Sequence, residues 1–206
     1  MSDKLSQFQD LLEVLHKDAE SLLHEQQSAD SPTLRRSLVR SVFALIEGTA
    51  YRMKQVALET EGLSGEEFSP AERALLTEET YILNNVGRAQ VRSANISILP
   101  NIRFAFYAFC KSYGADFKLP VSGKGWQALR GAIQIRHRLT HPKSATDTVV
   151  RDAELSTVMT AYRWFISNVT LALKAIVVSL KRVTGDKGDD EVLLKIIENR
   201  YEPYSR

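Results

Sequence analysis

The chain has very little cysteine, and this excludes two classes of small protein. Cys110 is the single cysteine among 206 residues, so neither an internal disulfide nor a multi-cysteine zinc site can form. It directly follows the apolar run 104–109, a setting typical of a buried, unreactive thiol. We therefore expect a protein of a reducing compartment.

Long apolar runs are also lacking. No uninterrupted apolar stretch reaches the roughly 20 residues that a membrane span needs. The N-terminus alternates acids with leucines and lacks a basic segment followed by an apolar one. These features favour a cytoplasmic protein without membrane association. The hydrophobic content of 44% and charged content of 25% are those of an ordinary globular domain with one core.

No β-hairpin signal and no internal repeat are recognised, whereas apolar residues recur at helical spacing almost throughout. The sequence therefore predicts an all-α fold, a single-domain bundle of about five to seven helices. The predicted helices cover about 4–27, 32–61, 70 to 84–87, 100–113, a segment ending at 141, 152–183 and 191–199. Residues 90–99 fit either a helix end or an extended connection. The helical domain spans 1–184, and 185–206 form a charged hinge, a short helix and a tail.

The net charge of +2 conceals an uneven distribution of charge along the chain. Acids dominate between Glu59 and Glu79, and bases dominate between Lys124 and Arg151. A local basic region is a suitable footprint for phosphate groups, although a solvated basic face explains the charges equally well.

One segment, residues 135–142, carries polar groups that packing alone does not explain. Arg136 and His141 lie five residues apart, so an unbroken helix would place them roughly 140° apart around its axis. Pro142 cannot continue a helix and disfavours helical geometry at His141. We therefore expect the helix to end at the histidine, which allows the two side chains to converge.

Arg136, the polar His137 and His141 resemble the R-(N/H/D)-x-x-x-H signature of the HEPN superfamily. These all-α domains are common in toxin–antitoxin, abortive-infection and RNA-cleaving systems. The resemblance implies a homodimer in which two motif helices meet, so that two arginines and two histidines line one cleft. It also implies a metal-independent endoribonuclease without a cofactor.

The expected catalytic roles follow from side-chain chemistry. A histidine such as His141 titrates near neutrality and suits a general base or acid. An arginine such as Arg136 is permanently charged and matches phosphate oxygens. His137 would orient or contact the substrate. The nearby bases Arg130, Arg138 and Lys143 are candidates for binding the phosphates of RNA.

Glu47 interrupts the apolar stripe of the second predicted helix. Some HEPN proteins carry an acid on an early helix that approaches the motif, which would make Glu47 a supporting acid. The alternative is a surface ion-pair stripe in which Glu47 shares a face with Arg40, Tyr51 and Lys54.

Other functions compete with RNA cleavage. A catalytically silent HEPN-like module would bind RNA, a nucleotide or a protein, and a purely structural adaptor would use the basic residues only as a solvated helix end. His137 and His141 have metal-ligand spacing, but Arg138 stands where the zinc-protease pattern needs glutamate. We therefore expect no metal.

An antitoxin protein is a candidate partner besides RNA. Toxins paired with a minimal nucleotidyltransferase usually carry a modifiable tyrosine two residues after the histidine, and here that position is Lys143. An antitoxin of that type is therefore not implied.

Overall fold

The computed structural model describes residues 2–184, with side-chain surroundings over residues 5–182. This part of the chain is an all-α bundle with one small hairpin, which confirms the predicted fold class. The elements are α1 (Ser2–Ser28), α2 (Pro32–Glu59), α3 (Pro70–Leu76), β1 (Glu79–Leu83), β2 (Ala89–Ser93), α4 (Ile98–Ser112), α5 (Gly123–Thr140), a 3₁₀ turn (Ala145–Thr148) and α6 (Asp152–Thr184). The predicted hinge and short helix, 185–199, lie outside the described residues.

Local capping signals set where α2 and α3 begin. The Ser31 hydroxyl accepts a hydrogen bond from Leu34 N at 3.2 Å, and Pro32 occupies the first helical turn. In α3, Ser69 N donates to Glu72 Oε2 at 2.7 Å and Glu72 N donates to Ser69 Oγ at 3.2 Å. These two bonds form a reciprocal capping box.

The segment after α3 corrects the predicted helix to 84–87 and the expectation that the chain has no hairpin. α3 ends at Leu76, and β1 then pairs with β2 in antiparallel register, Tyr81 opposite Val91. The turn is held by Asn84, whose Oδ1 accepts from Val86 N at 3.1 Å and from Arg88 N at 2.9 Å. These side-chain bonds add to the backbone bond that Asn84 N donates to Arg88 O at 3.0 Å, and together they stabilise the turn of the hairpin.

The core of the bundle lies around α2, which packs against α1, α4 and α6, while α5 packs mainly on α6. The fully buried side chains of α2 include Leu38, Val39, Val42, Leu45, Ile46, Met53 and Val56. Because α2 also contacts α5, a polar residue on the α2 flank can meet the motif helix.

α6 is long and apolar enough to cross a membrane by length and composition, since an 18-residue window within Asp152–Arg182 has a mean hydropathy of 1.4. In the bundle, 61% of its apolar window is buried against other helices. The central helix of a folded domain has the same character.

Candidate functional site

Arg136 on α5 meets Glu47 on α2. The Arg136 Nη2 atom lies 3.1 Å from Glu47 Oε2 and 3.0 Å from Oε1. The two side chains are 28% and 39% exposed, so the pair is partly shielded from water and links the two helices. Only Oε2 has hydrogen-bond geometry, and Oε1 is a buried atom with acceptor capacity left. A charge-assisted pair of this kind fixes the direction of the guanidinium.

An open cavity of about 420 Å³ lies beside the pair. Besides Arg136 and Glu47, it is lined by Phe43, Leu139 and the guanidinium-bearing Arg40. Arg40 is exposed, and its side chain forms no hydrogen bond or ion pair within residues 5–182. The cavity therefore combines an apolar wall with two arginines and one glutamate; because Glu47 is paired with Arg136, Arg40 supplies the excess positive charge available to an anionic ligand.

His137 and His141 lie together at the carboxyl end of α5. Their ring centroids are 5.1 Å apart with the planes tilted by 57°, and both side chains are exposed. His141 is the C-cap, with φ −126° and ψ 60°, and its N–H donates to His137 O at 3.0 Å. The helix thus ends at the histidine as predicted from Pro142.

The two imidazoles are open to a ligand. In the described part of the chain, neither forms a hydrogen bond to a side chain, and no hydrogen bond or ion pair joins Arg136 to His141. Arg136 points toward α2, whereas the histidines face solvent. In one protomer, Arg136 and the two histidines therefore form two neighbouring groups. A substrate or a second protomer would have to contact both groups for them to act together.

The guanidinium of Arg138 is hydrogen-bonded to other parts of the same chain. Its Nη1 donates to the carbonyl oxygens of Asp147 at 2.8 Å and Val149 at 2.9 Å, and its Nη2 lies 2.7 Å from Glu154 Oε1. These bonds tie the end of α5 to the 3₁₀ turn and to the start of α6. The guanidinium that the sequence suggested for RNA phosphate is thus committed to the fold.

The other two candidate phosphate-binding residues are separated from each other. Lys143 is exposed in the loop after the motif, where its backbone N–H donates to Asp147 Oδ2 at 2.8 Å. This bond, with those from Ser144, lowers the pKa of Asp147 below its usual range. Arg130 lies toward the other end of α5, beside a different cavity.

His137 and His141 alone would give a metal ion two protein ligands. Across the described residues, no group of three or more His, Cys, Asp or Glu side chains is arranged to hold a metal ion. The pair therefore lacks the third protein ligand of a catalytic zinc site.

Lys54 does not lie on a surface stripe with Glu47, so that part of the ion-pair alternative given by the sequence is wrong. Its side chain is fully buried, with Nζ 2.5 Å from Glu78 Oε1 and 2.8 Å from Asn101 Oδ1. A buried ammonium needs such partners, because its desolvation is otherwise very costly. In the sequence, the burial of Lys54 is indicated only by its position next to Met53 of the apolar stripe. Its partners Glu78 and Asn101 are too far away in the sequence to be recognised.

Glu47 lies between two cavities. A second cavity, of about 430 Å³, is lined by Glu47, Tyr51, Glu78 and Asn101 on the side of the hairpin. Glu78 adopts φ 56°, a left-handed conformation that is strained for this residue type and often occurs beside functional sites. Glu47 therefore lines both the cavity beside Arg136 and the cavity beside the hairpin.

Comparison of the chain with protein-family models, with curated proteins and with solved structures gives no match.

Proposed function

We propose that this protein is a metal-independent endoribonuclease of the HEPN type that acts as a homodimer. The observation that carries the proposal is the arrangement at the end of α5, where Arg136 is oriented by Glu47 and is followed by two exposed histidines whose rings contact each other. Each group has the chemistry that RNA transesterification requires, and the group order matches the HEPN signature.

The reaction needs a base, a charged donor and an acid. His141 removes the proton from a ribose 2′-hydroxyl, whose oxygen attacks the adjacent phosphorus. Arg136 stabilises the added negative charge on the phosphate oxygens. The bond from phosphorus to the 5′-oxygen breaks, and that oxygen takes a proton from a second histidine. The products are a 2′,3′-cyclic phosphate and a free 5′-hydroxyl.

A second copy of the chain would complete the site. Within one protomer no bond joins Arg136 to His141, and both histidines are exposed. A twofold axis near the end of α5 would place four imidazoles and two guanidiniums around one cleft, in an isologous interface. Base and acid then come from different protomers.

A defence setting fits this activity. Because the motif resembles that of HEPN domains in defence systems, we propose a cytoplasmic role in a toxin–antitoxin or abortive-infection system with an antitoxin protein as regulator. Lys143 stands in place of the modifiable tyrosine, which favours an antitoxin that covers the cleft.

One observation favours a second function, a catalytically silent HEPN-like module that binds RNA. Arg136 is already paired with Glu47, so part of its charge is neutralised before any phosphate arrives. Such a module would bind RNA at the basic face of α5 without cleaving it.

The experiment is cleavage of a labelled single-stranded RNA in excess EDTA, with analysis of the product ends. We expect cleavage that is unaffected by EDTA and leaves 2′,3′-cyclic phosphate ends. Cleavage that stops on chelation and returns with zinc or manganese would overturn the metal-independent mechanism. Tight RNA binding without cleavage would select the silent module.

A further inference from the structure

A groove between α4 and the first half of α5 brings aromatic rings and arginines together. Its volume is about 680 Å³, and its walls include Phe104, Tyr107 and Trp126 with Arg103 and Arg130. Arg103 and Phe104 lie four and three residues before Tyr107, so both neighbour Tyr107 on one face of α4. Trp126 and Arg130 are likewise one turn apart on α5. Two helix faces therefore converge on one groove.

The aromatic walls of the groove are held in place. Tyr107 is 51% exposed, and its hydroxyl donates to Glu72 Oε1 at 3.1 Å. The Trp126 ring packs edge-on against Trp164, with centroids 5.7 Å apart and planes at 62°. Rings fixed in this way offer a stacking surface at low entropic cost.

The two arginines of the groove are exposed and have no polar partner among residues 5–182. Within the described chain, neither Arg103 nor Arg130 forms a side-chain hydrogen bond or an ion pair. In contrast, Arg35, Arg73 and Arg138 are each paired with a carboxylate. A free guanidinium beside an aromatic ring combines phosphate binding with stacking. This charge pattern favours a polyanion over an apolar protein segment.

The groove is aligned with the histidines along α5. Trp126, Arg130, Gln134, His137 and His141 follow each other at spacings of three or four residues, so they form one stripe on the helix. Arg130 and His137 are seven residues apart, which is about two turns or roughly 10 Å along the axis. A strand held in the groove would therefore extend toward the imidazoles.

We propose that this groove binds the single-stranded RNA segment that flanks the cleaved bond. Unpaired bases stack on Tyr107 and Trp126, and the phosphates between them contact Arg103 and Arg130. Stacking requires bases outside a duplex, so the groove selects single-stranded RNA. The assignment of the histidines as the reacting end rests on the proposed function, whereas RNA binding in the groove does not.

The test is the affinity of a fluorescein-labelled single-stranded oligoribonucleotide for four variants, measured by anisotropy at several salt concentrations. Tyr107→Ala should weaken binding about tenfold or more. Tyr107→Phe, which keeps the stacking ring and loses only the hydrogen bond to Glu72 that fixes it, should bind far more tightly than Tyr107→Ala. Arg103→Gln should weaken binding and reduce its salt dependence. Arg163→Gln, the same change at an exposed position of α6, should have little effect.

The outcomes separate this inference from the proposed function. Wild-type affinity in both Tyr107→Ala and Arg103→Gln overturns the groove, as does equally tight binding of a duplex of the same length. If RNA is cleaved while these variants keep the wild-type affinity and KM, the groove is wrong and the ribonuclease stands. If the variants lose affinity but wild type cleaves no RNA, the groove stands and the ribonuclease is wrong. A thermal melt of each variant confirms that it is folded.

Discussion

The ion pair between Glu47 and Arg136 sets both the direction and the net charge of the Arg136 guanidinium. The ion pair between α2 and α5 holds the guanidinium in one direction, and it also neutralises part of the charge that a phosphate would use. If Glu47 only stabilised the fold, its replacement would lower stability alone. If it positions Arg136, the effect appears in catalysis.

Glu47→Gln distinguishes these roles because it keeps the shape and removes the charge. We expect RNA to bind as tightly as to wild type or more tightly, since Arg136 gains net charge. Cleavage should be about tenfold slower or more, because the guanidinium loses its fixed direction. Dissociation constants and single-turnover rates measure the two effects. A lower melting temperature with unchanged cleavage would make Glu47 purely structural.

Replacing Arg138 should lower the stability of the protein, whereas replacing Arg130 should hardly change it, although the sequence alone suggested the same role for both residues. Arg138→Ala removes three bonds to the 3₁₀ turn and α6, so the free energy of unfolding should fall by about 1–3 kcal/mol. Arg130→Ala should change it by less than about 0.5 kcal/mol. Urea denaturation of both variants makes the comparison. Equal stability of the two would contradict the structural role of Arg138.

His16 makes stability depend on pH at a place remote from the motif. Its Nδ1 lies within hydrogen-bond distance, 2.8 Å, of the hydroxyl oxygen of Tyr162, and that hydroxyl donates to Glu20 Oε1 at 3.1 Å. Burial lowers the pKa of His16, against a smaller opposing effect of Glu20. The unfolded chain therefore binds a proton at this site more readily than the folded protein does. The stabilising contribution of neutral His16 is fully present above the pKa of about 6.5 in the unfolded chain. It is lost progressively as the pH drops below that value.

The pH prediction is tested with thermal melts of wild type and His16→Gln at pH 7.5 and 5.5. We expect the melting temperature of wild type to fall more between these values than that of the variant. Glu72, whose pKa is lowered to about 2 by its capping hydrogen bonds, ionises well below this window. Parallel shifts of the two proteins would contradict the account of His16.

At the scale of helices and strands, the boundaries that local chemistry determines could be predicted from the sequence. Serine caps and prolines fix the starts of α2 and α3, and Pro142 fixes the end of α5. The hairpin could not be predicted, because neither strand buries a side chain. Alternation of polar and apolar residues arises only where one face of a strand is buried.

The packing of α5 on α6 depends on one glycine whose role no sequence pattern reveals. A Cβ atom at Gly125 would lie 2.1 Å from Trp164 Cδ1, so any side chain there displaces the ring. We expect Gly125→Ala to lower the free energy of unfolding by about 1–3 kcal/mol, as overpacking does.

Gly131→Ala is the matched control in the same helix. Its added Cβ would lie 3.1 Å from Thr157 Cγ2, a contact that a small shift relieves. Thermal or urea denaturation should show a much smaller loss of stability there. If Gly125→Ala is as stable as Gly131→Ala, the close approach of Trp164 to α5 is wrong.

At the scale of the whole molecule, the candidate site divides into a part that sequence reveals and a part that only folding brings together. Arg136, His137 and His141 stand in one short segment, so the motif is readable. The pairing of Arg136 with Glu47 spans 89 positions, and sequence left it as one of two alternatives. Lys54 with Glu78, and the groove of Tyr107 with Trp126, were not predicted, because each joins segments that are far apart in the sequence.

The proposed site also requires a second protomer. Light scattering at micromolar concentration should therefore show a dimer of the full chain. A strict monomer, with or without RNA, would remove the composite cleft and leave each histidine pair without the opposing one.

The central claim is tested most directly by RNA cleavage rates of wild type and His141→Ala, measured alongside their thermal melts. His141 is exposed and makes no side-chain hydrogen bond within residues 5–182, so the two melts should coincide. Cleavage by the variant should be slower by about 10²-fold or more, since a general acid–base group is lost. Equal cleavage by the two folded proteins would contradict the proposal that His141 carries the chemistry.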